Sequence, residues 1–439
     1  VAGKQKSGAK GAGRAKDGVV PLNAWAEKPD AVEVWRTDVV RLFVDQRQEE
    51  KLLEVAGAVE QLVELENERR RRVYEETGRI DTSVIQAYRN PEYAEIKRVL
   101  GSVNFDETLR YVSEAWRSFG ALLHAGERGE LPAWLEPRPP RRLGRLLVFV
   151  RFDNYRVDAQ SGTIELGYYN LRLKFRGGLR WWRQRVQQGR LVMAFDDVKR
   201  AWYGHIASRV VLKRSTASGL KCGIDMGQIH LVAAVLESGA ALLYRGSVLK
   251  SDYHYLRKRV SELDKVGLLD EFDRAVWLEK RRALHHHLKQ RRVKLIQGVA
   301  AHLATLLSRL GVAEVYIGYP RYIAQEKPCE RNSAWPYWRV AREVARACEN
   351  AGVAVFLVPE ERTSSFCAYH GCGVVRGPRG LVRCPLGHTL HSDLNAALNI
   401  LKQAGGRLPE RVRVLSFTPT PSGVTERRRK AYSPAQKAG

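Results

Sequence analysis

Acidic residues are scarce in this sequence. In 439 residues, 48 Asp and Glu stand against 74 Lys and Arg, a formal charge of +26. A heat-adapted surface would raise both signs together, so the one-sided excess points instead to a polyanionic partner, nucleic acid first. Long apolar runs are also missing. No stretch of eighteen apolar residues occurs and no signal peptide opens the sequence, so a soluble, intracellular protein is expected. Cysteine is sparse, with six in all. Cys222, Cys329 and Cys348 are scattered and read as buried thiols. Cys367, Cys372 and Cys384 fall close together, which in an intracellular chain suggests a metal rather than disulfides.

What is present is enough apolar residue, 44%, for most of the chain to fold, and enough length for two or three domains. Residues 1–36 read as a flexible basic tail. A strand is expected near 37–45. Helical spacing follows from Gln46, where Leu52, Val55, Ala56 and Val59 share a face, and continues to a Pro-rich break before 139. Residues 140–215 carry short β-branched and aromatic runs, expected to form a small β-barrel into which the helices of 46–139 are inserted. Three strands beginning at CGID, a long basic helical stretch, and alternating strands and helices then give the element order of an RNase H-like fold over 216–362 and 389–404. The Pro-, Ser- and Arg-rich segment 405–439 reads as disordered.

Two carboxylates stand out. Asp225, in Gly-Ile-Asp-Met-Gly, ends an apolar strand, where a charge is costly unless paired or bound to metal. A turn-capping Asp would look the same. Asp393, in His-Ser-Asp-Leu-Asn, opens a helix whose Leu394, Ala397, Leu398 and Leu401 form a buried face; a simple N-cap is the alternative. In an RNase H-like fold the two would converge and, with a Glu from another strand, could hold two Mg²⁺ ions about 4 Å apart. Cys367, Cys372, Cys384 and His388 are a tetrahedral zinc set on two knuckles within 363–388, with His370 as an alternative ligand. Consecutive His285, His286 and His287 point about 100° apart on a helix and cannot share one ion. Trp181 and Trp182, flanked by Arg180, Arg183 and Arg185, suit either a nucleic-acid stacking platform or a hairpin core.

Over roughly 38–403 the sequence resembles the TnpB family of insertion-sequence RNA-guided nucleases, relatives of type V CRISPR effectors. The resemblance is carried by GIDMG (223–227), the TSSFC ribbon (363–388) and HSDLNAALNI (391–400), with fainter matches at QEEKLLE (48–54) and YHYLRKRVSEL (253–263). It implies a wedge β-barrel at 37–45 and 140–215, a helical recognition lobe at 46–139, and a RuvC-like nuclease domain with an inserted zinc ribbon. It further implies a guide RNA, a double-stranded DNA target cut beside a short flanking motif, and two catalytic Mg²⁺ ions with a structural Zn²⁺. The expected setting is the prokaryotic cytoplasm, on the nucleoid when bound to DNA. By the resemblance Asp225 is the first catalytic carboxylate and Asp393 the third. The second departs from the pattern, because Gly318 stands where the family has Glu. Glu360, after the adjacent strand, is the expected replacement, with Glu361 the second choice. The competing expectations are a nuclease-dead RNA-guided repressor and a transposition factor that binds DNA without RNA.

Overall fold

The computed structural model describes residues 19–27, 29–129, 136–214, 219–267, 273–319, 335–360 and 363–427. The chain divides into two compact units, Glu33–Val211 and a second built from Val1–Val32 with Leu212–Gly439. No helix among the described residues is long and apolar enough to cross a membrane.

The Glu33–Val211 unit is built on a seven-stranded sheet. Its strands are β2 (Ala31–Phe43), β3 (Leu147–Val150), β4 (Tyr155–Asp158), β5 (Thr163–Leu166), β6 (Leu171–Arg176), β7 (Arg185–Asp196) and β8 (Ala201–Lys213), in the order β3-β7-β8-β2-β6-β5-β4. Between β2 and β3 in the chain lie α1 (Gln46–Thr77), α2 (Ile85–Arg89) and α3 (Ala94–Glu127). α1 starts at a capping box formed by Asp45 and Gln48 and stops at Gly78 in the left-handed conformation. α3 is broken at Gly101, whose φ of 72° and lack of a side chain let the Tyr168 ring close over it. One core joins helices and strands, through Leu62, Leu109, Trp116, Phe149, Ile164 and Trp202.

Trp181 and Trp182 form neither a hairpin nor a platform. They sit in a single helical turn, α4 (Arg180–Arg183), and are 7% and 5% exposed. Both backbone N–H groups donate to the buried Asp38 carboxylate, and the Arg180 and Arg185 guanidiniums cover the rings. Neither indole has a face left for a base.

The second unit is an eight-stranded sheet. β9 (Leu220–Asp225), β10 (His230–Leu236) and β11 (Ala240–Arg245) make an antiparallel meander. On its other side β12 (Val312–Tyr319) runs parallel to β9, and β13 (Ala354–Pro359) parallel to β12. These are the order and directions of an RNase H-like sheet. α5 (Ser247–Val266), α6 (Arg274–Arg309), α7 (Tyr337–Asn350) and α8 (Ser392–Gln403) accompany it. Val299, Leu303, Val340 and Val344 of α6 and α7 pack with Ile224 and Ile317, whereas Ala397 and Leu398 of α8 pack with Ala233 and Val235. With both faces covered, β9 and β10 are near-continuous apolar runs rather than alternating ones. A three-stranded sheet of β14 (Val375–Arg376), β15 (Leu381–Arg383) and β16 (Thr389–His391) precedes α8.

Both ends of the chain correct the sequence reading. Residues 19–27, placed in a flexible tail, are tied down. β1 (Val20–Pro21) pairs with β13, and Trp25 is fully buried with its indole N–H donating to the Glu349 carbonyl at 2.7 Å. β2 begins at Ala31, earlier than expected. The tail read as disordered from 405 carries β17 (Arg413–Thr420) and β18 (Gly423–Glu426), with β17 parallel to β11. Phe417 anchors it, 3% exposed and stacked on Tyr244 with ring centroids 5.0 Å apart. Residues 1–18 and 428–439 lie outside the described residues. Phe417→Ala should therefore destabilise this unit by about 3–5 kcal/mol, as for a buried Phe, in urea unfolding. An unchanged midpoint would mean the tail carries no packing.

Candidate functional site

Asp225 is the last residue of β9 and is 6% exposed, so it is not a turn cap at the surface. What sits beside it is decided two residues earlier. A Cβ on Gly223 would lie 2.3 Å from the Ala397 carbonyl oxygen and 2.7 Å from the Leu401 nitrogen, both backbone atoms of α8. Only glycine lets the helix lie this close, and the approach carries Asp393, in the first turn of α8, to the end of β9. Asp393 is not the N-cap; His391 is.

Asp393 is held from several sides. His230 Nδ1 lies 2.8 Å from its Oδ2, the Ser392 hydroxyl donates to Oδ1 at 3.0 Å, and its own backbone N–H donates to His391 Nδ1 at 3.3 Å. The His230 and His391 rings meet edge to face at 4.8 Å. Burial pushes the Asp393 carboxyl up, but the His230 hydrogen bond and the charges of His391 and His230 hold it below the usual range. Sequence reading missed His230. It lies five residues past Asp225 in an apolar strand, and nothing local marks it as facing α8.

Glu360 follows β13 directly. β12 and β13 pair with Gly318 opposite Val358 and Tyr319 opposite Pro359. A Cβ on Gly318 would lie 3.4 Å from Glu360 Cγ and 2.4 Å from Ile400 Cδ1. The Glu360 side chain thus runs past the spot from which a side chain at 318 would start. It also hydrogen-bonds Asp225. Burial first, then the charges of Glu360 and Asp393 and the Glu360 hydrogen bond, push the Asp225 carboxyl well above the usual range. Three carboxylates from three separate elements therefore share one enclosed place. Glu361 lies outside the described residues.

The ribbon brings its candidates together as well. Cys367, His370 and His388 form one group with ligand atoms within 4.8 Å of each other; His370, Cys372 and Cys384 form another. Cys372 and Cys384 sulfurs are 3.2 Å apart, His370 Nδ1 is 3.3 Å from Cys384 Sγ, and the two His rings stack at 4.5 Å. Gly371 and Gly387, both at positive φ, turn the two knuckles back on themselves. Asn395 and Asn399 of α8 donate to the carbonyls of Phe366 and Thr363, and Lys402 to that of Ala368, clamping the ribbon to the helix. The same helix that places Asp393 thus fixes the first knuckle. His285, His286 and His287 lie along α6, where no cluster forms among the described residues. Arg180 and Arg183 are exposed.

A family model described as a probable transposase (OrfB_IS605) matches residues 203–324, and one described as a Cas12f1-like TNB domain matches 337–400. "TnpB-like protein ORF457" of Acidianus two-tailed virus is 35% identical over 416 residues, covering 87% of this chain and 90% of that one. The chain belongs to the TnpB family. Among solved structures, the "mini-RNA-guided endonuclease CRISPR-Cas_phi3" superposes with a TM-score of 0.50 at 10% identity, over 87% of this chain and 94% of that one. A Cas12f1–sgRNA–target DNA complex gives 0.48 at 11% identity, over 85% and 99%. The likeness to CRISPR-Cas_phi3 is one of fold.

In this TnpB-family chain the carboxylate cluster opposes folding whenever nothing neutralises it. In EDTA at neutral pH, Asp225→Asn should melt several degrees above wild type, because the amide keeps the shape and the hydrogen bond without the cost of forcing a proton onto a carboxyl crowded by two others. An equal or lower melting temperature would mean the three carboxyls are not crowded.

Proposed function

We propose that this chain is an RNA-guided DNA endonuclease of an insertion sequence, cutting target DNA beside a short flanking motif. Asp225, Glu360 and Asp393 hold the divalent ions. The reading is supported by membership of the TnpB family and by the +26 charge, and one observation carries it: Glu360 reaches Asp225 from the strand next to Gly318. A chain that had simply lost its second acid would have no reason to keep a carboxyl against the buried Asp225, at the cost of repulsion.

The donors fit Mg²⁺, since all are hard oxygens and their mutual repulsion is relieved by a cation. Divalent ions would activate water for in-line attack and neutralise charge on the leaving 3′ oxygen. The chain's own part is positioning. Gly223 sets the separation of β9 and α8, and His230 and Ser392 hold the Asp393 oxygens in place. The guide RNA pairs with one DNA strand, and the protein grips the duplex through its backbone. Arg180 and Arg183 remain candidates for phosphate contact, without the two Trp.

The deciding experiment is cleavage of a plasmid library by protein purified with its RNA, in Mg²⁺. Wild type should cut, and Glu360→Ala should lose activity by about 10²-fold or more, the scale for removing a group that stabilises developing charge. Guide-dependent binding without cleavage by wild type would make the protein a targeting factor instead, with Gly318 the decisive residue.

The ribbon is proposed to hold one structural Zn²⁺. Tetrahedral zinc uses four ligands and five donors converge here. His370→Ala or His388→Ala alone should each keep one zinc per chain by elemental analysis, while the double variant loses it. Loss of zinc from either single variant would show that no donor is spare.

A further inference from the structure

Trp35 is the most exposed indole among the described residues, at 53%. It is not a loose surface side chain. A Cβ on Gly189 would lie 2.5 Å from Trp35 Cζ3 and 3.0 Å from Ala207 Cβ. The ring is therefore seated on bare β7 backbone, and any side chain at 189 would displace it. Phe152, 50% exposed, lines the same cleft. Its turn is braced, because Gln188 Nε2 donates to the Phe152 and Tyr155 carbonyls and the Tyr155 hydroxyl donates to the Gly189 carbonyl at 2.8 Å.

The cleft measures about 580 Å³, within the range of sites that take a small molecule and roomy for one nucleotide. Thr37 and Gln187 add exposed hydrogen-bonding groups on its lining. The acidic side chains there, Glu107 and Glu114, are both paired with Arg190, so they do not present bare negative charge to a phosphate. Single exposed apolar residues need no explanation. Two aromatic rings set by backbone contacts in one polar-edged cleft, on a chain of +26 charge, do.

We propose that the Trp35–Phe152 cleft binds one unpaired nucleobase of single-stranded nucleic acid, stacked on Trp35. The proposal rests on the nucleic-acid reading above and gives it a specific contact. Aromatic stacking accepts any base, because every base has a π-face, so the site selects for an unpaired nucleotide rather than for sequence. The base belongs either to the guide RNA or to displaced DNA.

The test uses the full chain with single-stranded oligonucleotides of one sequence, as RNA and as DNA, each containing 2-aminopurine. Affinity and 2-aminopurine fluorescence are read for wild type, Trp35→Ala, Trp35→Phe and Gly189→Val. Wild type should bind and quench the probe. Trp35→Ala should weaken binding roughly 5- to 150-fold, the size of one base–aromatic stack, and abolish the quench. Trp35→Phe should recover most of the affinity. Gly189→Val, which keeps the indole but unseats it, should behave like Trp35→Ala. A loss confined to RNA assigns the base to the guide; a loss confined to DNA assigns it to the target. Wild-type affinity and quench in Trp35→Ala would overturn the platform while leaving nucleic-acid binding intact. Failure of wild type to bind either strand at low salt would overturn both readings.

Discussion

At Gly223 the backbone of β9 meets the backbone of α8 with no side chain between them. That contact sets the distance from the end of the strand to the first turn of the helix. Asp225 and Asp393 are neighbours because of it, and Ile400 is pressed toward Gly318 on the next strand. The same helix holds the ribbon through Asn395, Asn399 and Lys402. One close approach thus fixes the carboxylate cluster and the base of the Cys/His knuckles together, so a change there would be felt in both.

The place of Glu360 follows from the same packing. With Ile400 Cδ1 2.4 Å from where a Cβ at 318 would start, a larger residue there requires the Ile400 side chain to move. Parallel pairing sets the end of β13 beside the end of β12, and a carboxyl from Glu360 fills the space instead. In a sheet whose strand ends line a site, neighbouring strands offer nearly equivalent starting points, and the chemistry depends on where the oxygens finish, not on which strand they start from.

Much of this was legible beforehand, for physical reasons. Asp225 stood out because a charge in an apolar strand is expensive, and the ribbon because its thiols are close in sequence. The alternation of strands and helices gave the order of the sheet. What escaped notice depended on distant partners. Val20–Pro21 becomes a strand only against β13, and its Pro and short length hide it. Arg413–Thr420 looked like a tail because Pro, Ser and Arg dominate nearby, although Phe417 stacked on Tyr244, Leu415 and Val424 packed against the core, and pairing with β11 together hold that strand in place. Trp181 and Trp182 misled because neighbouring Arg residues suggest phosphate, when here they lie over the rings. His230 could not be singled out without knowing which face of β10 meets α8.

The two outer strands of the eight-stranded sheet lie far apart in the sequence. β1 closes one edge and the β17–β18 hairpin the other. During synthesis, β1 leaves the ribosome long before its partner β13 exists, and Asn23 must wait some 330 residues for Val353. Glu33–Val211, emerging between, has its own core and can be complete while the sheet is still open. The sheet closes only once β17 has been made. A chain cut short before residue 413 would therefore carry a finished Glu33–Val211 unit and a sheet that lacks β17 and β18, with the β11 edge bare. Assembly order makes the sheet that carries Asp225 the later of the two to become whole.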